Sequence, residues 1–385
     1  MIVRRTIRIK IRPTPEQEAR FLETRRQYAV AFGAVVDAGW ERRRINGVDL
    51  HKATYRDLRT RLDLPSQLVI TARSKAVEAM RAAKALKGGK PSSSSPSICF
   101  DARCWRMDWG SCVARLTVIG GRVELPFNID SYTAHFWGFQ TTTAELLKRG
   151  ARWYLHVVTE VEVDEPKVTG RVVGVDRGIR RPAVTSDGLF LGDRRWKDIE
   201  DRRLALRRRL QAKGTRSAHR HVKRLGHALA RFRRDCDHVL SRRLVESVEP
   251  GDTLVFEDPT HIRSRVRTRH GAPRRRLHAW SFARLGSYAG YKAALGGIFV
   301  AHEDPRDTSR RCPRCGHIDK ANRADQSHFR CVRCGFARNA DLVAGWNIRD
   351  RHEGLWTPAS RVPGPVNGPN VGTGVFHRLP ASPGL

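Results

Sequence analysis

Three carboxylates stand where their side chains could do chemistry together. Asp176 follows the apolar run Val172-Val-Gly-Val, Glu257 follows Leu254-Val-Phe, and Asp341 falls in a predicted helix just past a cysteine-rich segment. A strand ending in Asp, a second ending in Glu and a later helix bearing Asp is the layout of an RNase H-like nuclease core. Clustered carboxylates suit Mg²⁺, which prefers oxygen ligands in octahedral geometry. Two such ions about 4 Å apart can activate water and stabilise the leaving oxygen of a phosphodiester displacement. The carboxylates repel one another, a cost that bound metal removes. Singly, each has a plainer reading. An Asp after an apolar strand caps turns, Asp258-Pro259 reads as an ordinary turn, and an acid at a helix N-terminus is favoured by the helix dipole.

Four thiols carry a second signal. Cys312 and Cys315, then Cys331 and Cys334 after fifteen intervening residues, make two C-x2-C knuckles. This is zinc-ribbon spacing. The knuckles together close a tetrahedral shell with no open position, so the zinc is structural and catalysis lies elsewhere. Gly316 and Gly335 follow the second Cys of each pair, where the turn calls for positive φ. Paired disulfides are the rival reading, against which a reducing compartment weighs. Cys99, Cys104, Cys112 and Cys236 lack metal spacing and read as core or surface thiols.

The elements that must position these groups follow from periodicity. Residues 6–12 alternate Ile with Arg and Lys as an edge strand does. Thr14-Pro15-Glu16-Gln17 opens a helix with a capping box and Pro at its first position, and Phe21, Tyr28, Phe32, Val35 and Val36 form its apolar face. A second helix is expected over 66–87, a low-complexity linker over 88–97, and strands over 114–119, 123–127 and 152–163. From Arg171 the texture changes. Strands are expected at 172–175, 183–186, 189–191, 253–256 and 298–301. Two long basic helices fill 195–248, the second with a seam of Leu225, Leu229, Phe232, Cys236 and Val239. A basic loop at 263–276, a helix to about 296, the ribbon at 308–336, a helix at 339–349 and a Pro- and Gly-rich tail at 353–385 complete the chain.

The chain has 385 residues, with 73 Lys and Arg against 39 Asp and Glu, a net charge of +34 and a pI near 11.1. At 40% hydrophobic it holds enough apolar material for real cores, and no stretch approaches a membrane span. The charge is spread along the chain instead of confined to one amphipathic helix, so the expected partner is a polyanion and not a membrane surface. Without an unbroken apolar leader at Met1, a cytoplasmic location is expected.

Four segments together resemble a known family: Gly174-Val-Asp-Arg-Gly-Ile179, Phe256-Glu-Asp258, Thr308-Ser-Arg-Arg-Cys-Pro-Arg-Cys-Gly316 and Asn339-Ala-Asp-Leu-Val-Ala-Gly-Trp-Asn-Ile348. They are similar to TnpB, the OrfB-type proteins of bacterial insertion sequences related to the type V CRISPR effectors. The order and length match over about residues 1–350, and the specific motifs lie between 172 and 348. The pattern departs from the family's usual one at Pro259, Val343 and Trp346, none of which is a metal ligand.

The resemblance implies an α/β architecture with several domains. An N-terminal β-barrel-like wedge (1–14 and 98–168) holds a helical recognition insertion with its linker (15–97). An RNase H-like RuvC nuclease domain (169–307 and 337–352) is interrupted by the four-cysteine zinc ribbon (308–336), and 353–385 form a flexible tail. It implies an RNA-guided DNA endonuclease with Asp176, Glu257 and Asp341 as catalytic Mg²⁺ ligands and the four ribbon cysteines on Zn²⁺. The implied partners are a guide RNA, double-stranded target DNA with a short adjacent motif and the element's own transposase, in a prokaryotic, nucleoid-associated setting. Residues near Arg4–Arg12 and the 15–87 helices are where motif readout is expected. A nuclease-inactive RNA-guided regulator and a conventional D-E-D transposase are the alternatives.

With a guide doing the sequence reading, the protein must grip the heteroduplex by backbone and shape, with affinity that falls steeply with salt. Arg202, Arg209, Arg224 and Arg234 on the basic helices, and Arg265, Arg267, Arg274 and Arg275 on the basic loop, are the candidate contacts. A solvated charged face and a loop with only non-specific contacts are their plainer readings. Trp105, Trp109, Phe136, Trp137 and Phe139 suit either base stacking or the core of the β-domain.

Overall fold

A computed structural model describes residues 1–41, 45–92, 96–178, 181–258, 282–323 and 325–356. The chain divides into two compact units, one over residues 2–162 and one beginning at Val163.

In the first unit the Ile/Arg alternation forms strand β1 (Ile2–Ile11), with Ile7, Ile9 and Ile11 buried and the charged residues between them outward. Helix α1 (Pro15–Glu41) starts at the expected box: the Gln17 N–H donates to Thr14 Oγ1 at 3.2 Å and the Thr14 N–H to Gln17 Oε1 at 3.0 Å. Helix α2 (Gly47–Arg61) is not legible in the sequence, because it buries only the narrow stripe Leu50, Thr54 and Leu58 in an otherwise charged segment. Helix α3 (Ser66–Ala85) packs on α1 closely enough that a Cβ on Gly39 would stand 2.8 Å from Met80 Cε.

The remaining strands of this unit are β2 (Ile98–Phe100), β3 (Trp105–Asp108), β4 (Val113–Val118), β5 (Gly121–Pro126), β6 (Gln140–Arg149) and β7 (Arg152–Glu162), with the one-turn helix α4 (Ser131–Ala134) before β6. They form two antiparallel sheets, ordered β1-β7-β6-β2 and β3-β4-β5. β1 pairs along its whole length with β7, from Ile2 opposite Glu162 to Ile11 opposite Trp153. One core joins the helices to both sheets.

The second unit is built on a five-stranded sheet ordered β10-β9-β8-β11-β12. β8 (Val172–Asp176), β11 (Thr253–Glu257) and β12 (Phe299–Glu303) are parallel, and β9 (Ala183–Thr185) and β10 (Phe190–Leu191) continue it antiparallel. Parallel neighbours need long crossovers. The one between β8 and β11 contains β9, β10, α5 (Arg194–Lys213) and α6 (Arg216–Val245); the one between β11 and β12 contains α7 (Phe282–Leu295).

The expected seam of α6 is only partly right. Leu229 is buried, but Leu225, Phe232, Cys236 and Val239 are half-exposed, and toward its C-terminal end the helix buries Asp237, Leu240, Ser241 and Leu244. The polar members of that stripe meet α7: Arg284 Nε reaches Asp237 at 2.6 Å, and Lys292 Nζ donates to Ser241 Oγ at 2.7 Å. Paired polar groups look like a surface in the sequence, so the apolar pattern points one position away from the true interface. α5 buries no residue at all.

The ribbon's strands, β13 (His328–Arg330) and β14 (Ala337–Asn339), lead into helix α8 (Ala340–His352), which lies across β8. Two glycines permit that approach. A Cβ on Gly174 would collide with the Gly345 carbonyl oxygen, and one on Gly345 would stand 3.1 Å from the Ser186 nitrogen. Trp346 fastens the crossing by donating its indole N–H to the Ser186 carbonyl at 2.7 Å. Among the described residues no helix is long and apolar enough to cross a membrane.

Candidate active site and metal centre

Register brings the first two acids together. Phe256 lies opposite Val175 in the parallel pair of β11 and β8, so Glu257 and Asp176, each one residue further on, sit at the carboxyl ends of adjacent strands. That edge is where open α/β sheets place their ligands. The third acid comes from α8. The Asn339 side chain caps this helix by accepting from the N–H groups of Asp341 and Leu342 at 3.1 and 3.2 Å, which orients the first turn that carries Asp341.

The three acids are linked electrostatically. Burial pushes the Asp176 carboxyl well above the usual range, and the charges of Glu257 and Asp341 push it further. Glu257 is likewise raised by burial, against the pull of a 2.5 Å hydrogen bond from Thr308 Oγ1 and of nearby arginines. Asp176, Glu257 and Asp341 offer only oxygen donors, and the charges of the latter two bear on Asp176, a repulsion that a divalent cation would relieve.

Two arginines moderate the repulsion, and no spacing signal marks either for this role. Arg177 is 7% exposed; its guanidinium donates to the Glu257 carbonyl oxygen and lies 5.2 Å from the centre of the Phe256 ring. It sits against Gly286 of α7, where a Cβ would stand 3.1 Å from its Nη1. Arg323, from the ribbon, places Nη2 at 3.4 Å from Asp341 Oδ1. Thr308 and Arg177 lie inside motifs quoted above, but their partners are 51 and 80 residues away along the chain.

The four ribbon cysteines converge as expected. Cys312 and Cys334 Sγ are 3.6 Å apart, as are Cys315 and Cys331 Sγ, and all four sulfurs lie within 4.8 Å of one another. Metal–sulfur bonds of about 2.3 Å in a tetrahedron put sulfurs about 3.8 Å apart, so the cluster fits a metal ion. Gly316 and Gly335 adopt φ of 72° and 71°, and their N–H groups donate to the Cys312 and Cys331 carbonyls at 2.9 and 3.0 Å. The Phe336 N–H holds the Cys334 thiol down at about 7. Buried Asn347 ties the ribbon's entry to α8, donating to the Thr308 and Arg311 carbonyls at 2.7 and 2.8 Å.

The other expected site residues fall into three groups. Arg202, Arg209, Arg224 and Arg234 are exposed on the α5–α6 hairpin. Arg265, Arg267, Arg274 and Arg275 lie outside the described residues. Of the aromatic group, Trp105 and Phe136 are core, Trp109 and Phe139 are half-buried against it, and Trp137 is 51% exposed.

The family model described as Cas12f1-like, TNB domain matches residues 282–348, from α7 through the ribbon into α8. The CRISPR-associated endodeoxyribonuclease Cas12f1 of Sulfoacidibacillus thermotolerans is 31% identical over 232 residues, covering 54% of this chain and 53% of that protein. InsQ of Escherichia coli strain K12, named for RNA-guided DNA endonuclease activity, is 29% identical over 217 residues, covering 51% of this chain and 53% of InsQ. A TnpB-like protein of Methanocaldococcus jannaschii is 33% identical over 112 residues, covering 29% and 40%. The chain thus spans about half the length of the first two of these curated relatives.

Proposed function

We propose that the chain belongs to the family that joins the TnpB proteins to the type V effectors, as its relatives support, and that it is an RNA-guided, Mg²⁺-dependent DNA endonuclease of an insertion-sequence-type mobile element. A guide RNA pairs with one strand of double-stranded DNA beside a short adjacent motif, and the protein cuts the DNA so engaged. The strand order of the second unit, with three parallel strands continued by two antiparallel ones, supports an RNase H-like RuvC core interrupted by a zinc ribbon. The sheets and helices of the first unit support a wedge-like domain around a helical recognition insertion.

Asp176, Glu257 and Asp341 are the residues that would hold magnesium, and bound Mg²⁺ supplies charge stabilisation at the scissile phosphate and activation of the attacking water. The chain's own groups prepare that site. Thr308 orients the Glu257 carboxylate through its hydroxyl, the Asn339 cap fixes the turn bearing Asp341, and Arg323 holds the Asp341 carboxylate from the ribbon side. Arg177, fixed beneath β11, offsets part of the negative charge and keeps the end of that strand in place through the Glu257 carbonyl. Zn²⁺ on four thiolates has no open position, so it acts by folding the ribbon that carries Arg323.

The observation that carries this reading is the register of β8 and β11, which sets Asp176 beside Glu257 at the carboxyl ends of adjacent strands, with α8, the helix that bears Asp341, lying across β8. The test is to purify the protein without nuclease treatment and sequence the RNA it retains. A discrete RNA is expected, whose variable end directs Mg²⁺-dependent cleavage of matching DNA. Cleavage that ignores the RNA's sequence, or a preparation free of discrete RNA, overturns the reading.

A further inference from the structure

The aromatic residues of the first unit are not all consumed by its core. β3 is the edge strand of its sheet. Across from it, β6 pairs with β7 at Gln140 and Thr141, then shifts register before Ala144, where β2 joins on its other side. Over Gln140–Thr141 β6 therefore has a strand neighbour on one side only. The two open edges border a cleft of about 360 Å³ lined by Trp105, Trp109 and Phe139, with Arg106, Gln140 and Thr141 among its polar residues.

The indole N–H groups are already engaged: Trp105 donates to the Thr142 carbonyl at 3.2 Å and Trp109 to the Phe139 carbonyl at 3.4 Å. Those bonds fix the rings; Trp105 is buried in the core, so the ring surface presented comes from half-buried Trp109 and Phe139. Trp137 stands beside Trp109, ring centres 6.0 Å apart, with half its surface in water. Arg106 and Gln140 are exposed. Ring surfaces flanked by a cation, a side-chain amide and open strand edges suit a flat ligand with an aromatic face and polar rim. An acyl chain would leave those polar groups unused.

We infer that this cleft binds an unpaired base of RNA, stacked against Trp109 beside Trp137 and contacted at its edge by Arg106 and Gln140. A base inside a duplex is stacked on both faces and paired at its edge, so only an unpaired one can enter. The net charge of +34 supplies the attraction for a polyanion. The inference rests on the guide-RNA reading above, since the guide is the strand that has unpaired bases before any target is opened.

The test uses the full chain, freed of bound nucleic acid, with three probes of one sequence: a short single-stranded oligoribonucleotide, its RNA duplex and the single-stranded DNA. High salt suppresses phosphate contacts and leaves stacking. Trp137→Ala and Arg106→Ala, both at exposed positions, should each weaken single-stranded RNA binding about tenfold and leave duplex binding unchanged. Ultraviolet cross-linking should attach the RNA to peptides spanning 105–109 or 137–141 in the wild type and lose that adduct in Trp137→Ala. Wild-type affinity in both variants, equal loss on the duplex, equal loss on DNA, or adducts confined to other peptides overturns the assignment. If a discrete guide still co-purifies with such a protein, only the cleft is lost; if the wild type retains no RNA, the guide reading fails as well.

Discussion

Asp176 is kept in an environment that penalises its charge, and that penalty has a measurable sign. Its folded-state proton affinity is raised, by burial first and then by Glu257 and Asp341. Its contribution to the stability of metal-free protein is therefore fully present below its ordinary value of 3.8 and declines as pH rises above it. Asp176→Asn should raise the melting temperature of metal-free protein at neutral pH, by about 2–4 °C per kcal/mol recovered in a unit of this size, and abolish cleavage. Mg²⁺ should stabilise the wild type and leave the variant unmoved; an equal response of both to Mg²⁺ removes Asp176 from the metal site. Arg177→Met tests the opposite charge. Removing one partner of a buried charged group costs about 3 kcal/mol, and Mg²⁺ should restore more of that loss than it adds to the wild type. A loss that is the same with and without Mg²⁺ makes Arg177 mere packing.

At the scale of elements, the site depends on α8 lying flat on β8 and on the ribbon holding its shape. Gly174→Ala puts a methyl group into the Gly345 carbonyl. Overpacking of this kind costs about 1–3 kcal/mol, and the displacement of Asp341 should cost cleavage far more than RNA binding. Cys312→Ser should release the metal, measured as zinc per mole of protein, and loosen residues 308–336 to proteolysis. A metal-free ribbon that keeps its protection refutes the zinc assignment. Much of this level is legible in the sequence: the capping box at Thr14, the C-x2-C pairs and the apolar runs before Asp176 and Glu257 are local patterns. Helix α2 and the true buried stripe of α6 are not, because α2 shows too few apolar residues and α6 buries polar ones whose partners lie on α7.

For the whole molecule, part of the positive charge stands on a helical hairpin that adds little to the core. The α5 helix buries no residue, and Arg202, Arg209, Arg224 and Arg234 project from it and α6 into solvent. Changing these four to Ala should move the melting temperature little, since surface substitutions usually stay within about 0.5 kcal/mol. The salt dependence of RNA binding should flatten by roughly one unit of slope for each phosphate that an arginine no longer neutralises. An unchanged slope would assign the hairpin to solvent alone.

The amino-acid sequence alone determined the candidate ligand types, their local turns and most of the elements that carry them, because knuckles, caps and strand periods involve neighbours within a few residues. It could not determine which acids meet. Asp176 and Glu257 are set side by side by the register of β8 and β11, and Asp341 is brought in by a crossing that two glycines permit. The supporting groups were equally beyond reach: Thr308 on Glu257, Arg323 on Asp341, Arg177 beneath the strand end, and the cleft between two open strand edges. Each joins residues with no fixed spacing, and such neighbours exist only once the chain has packed.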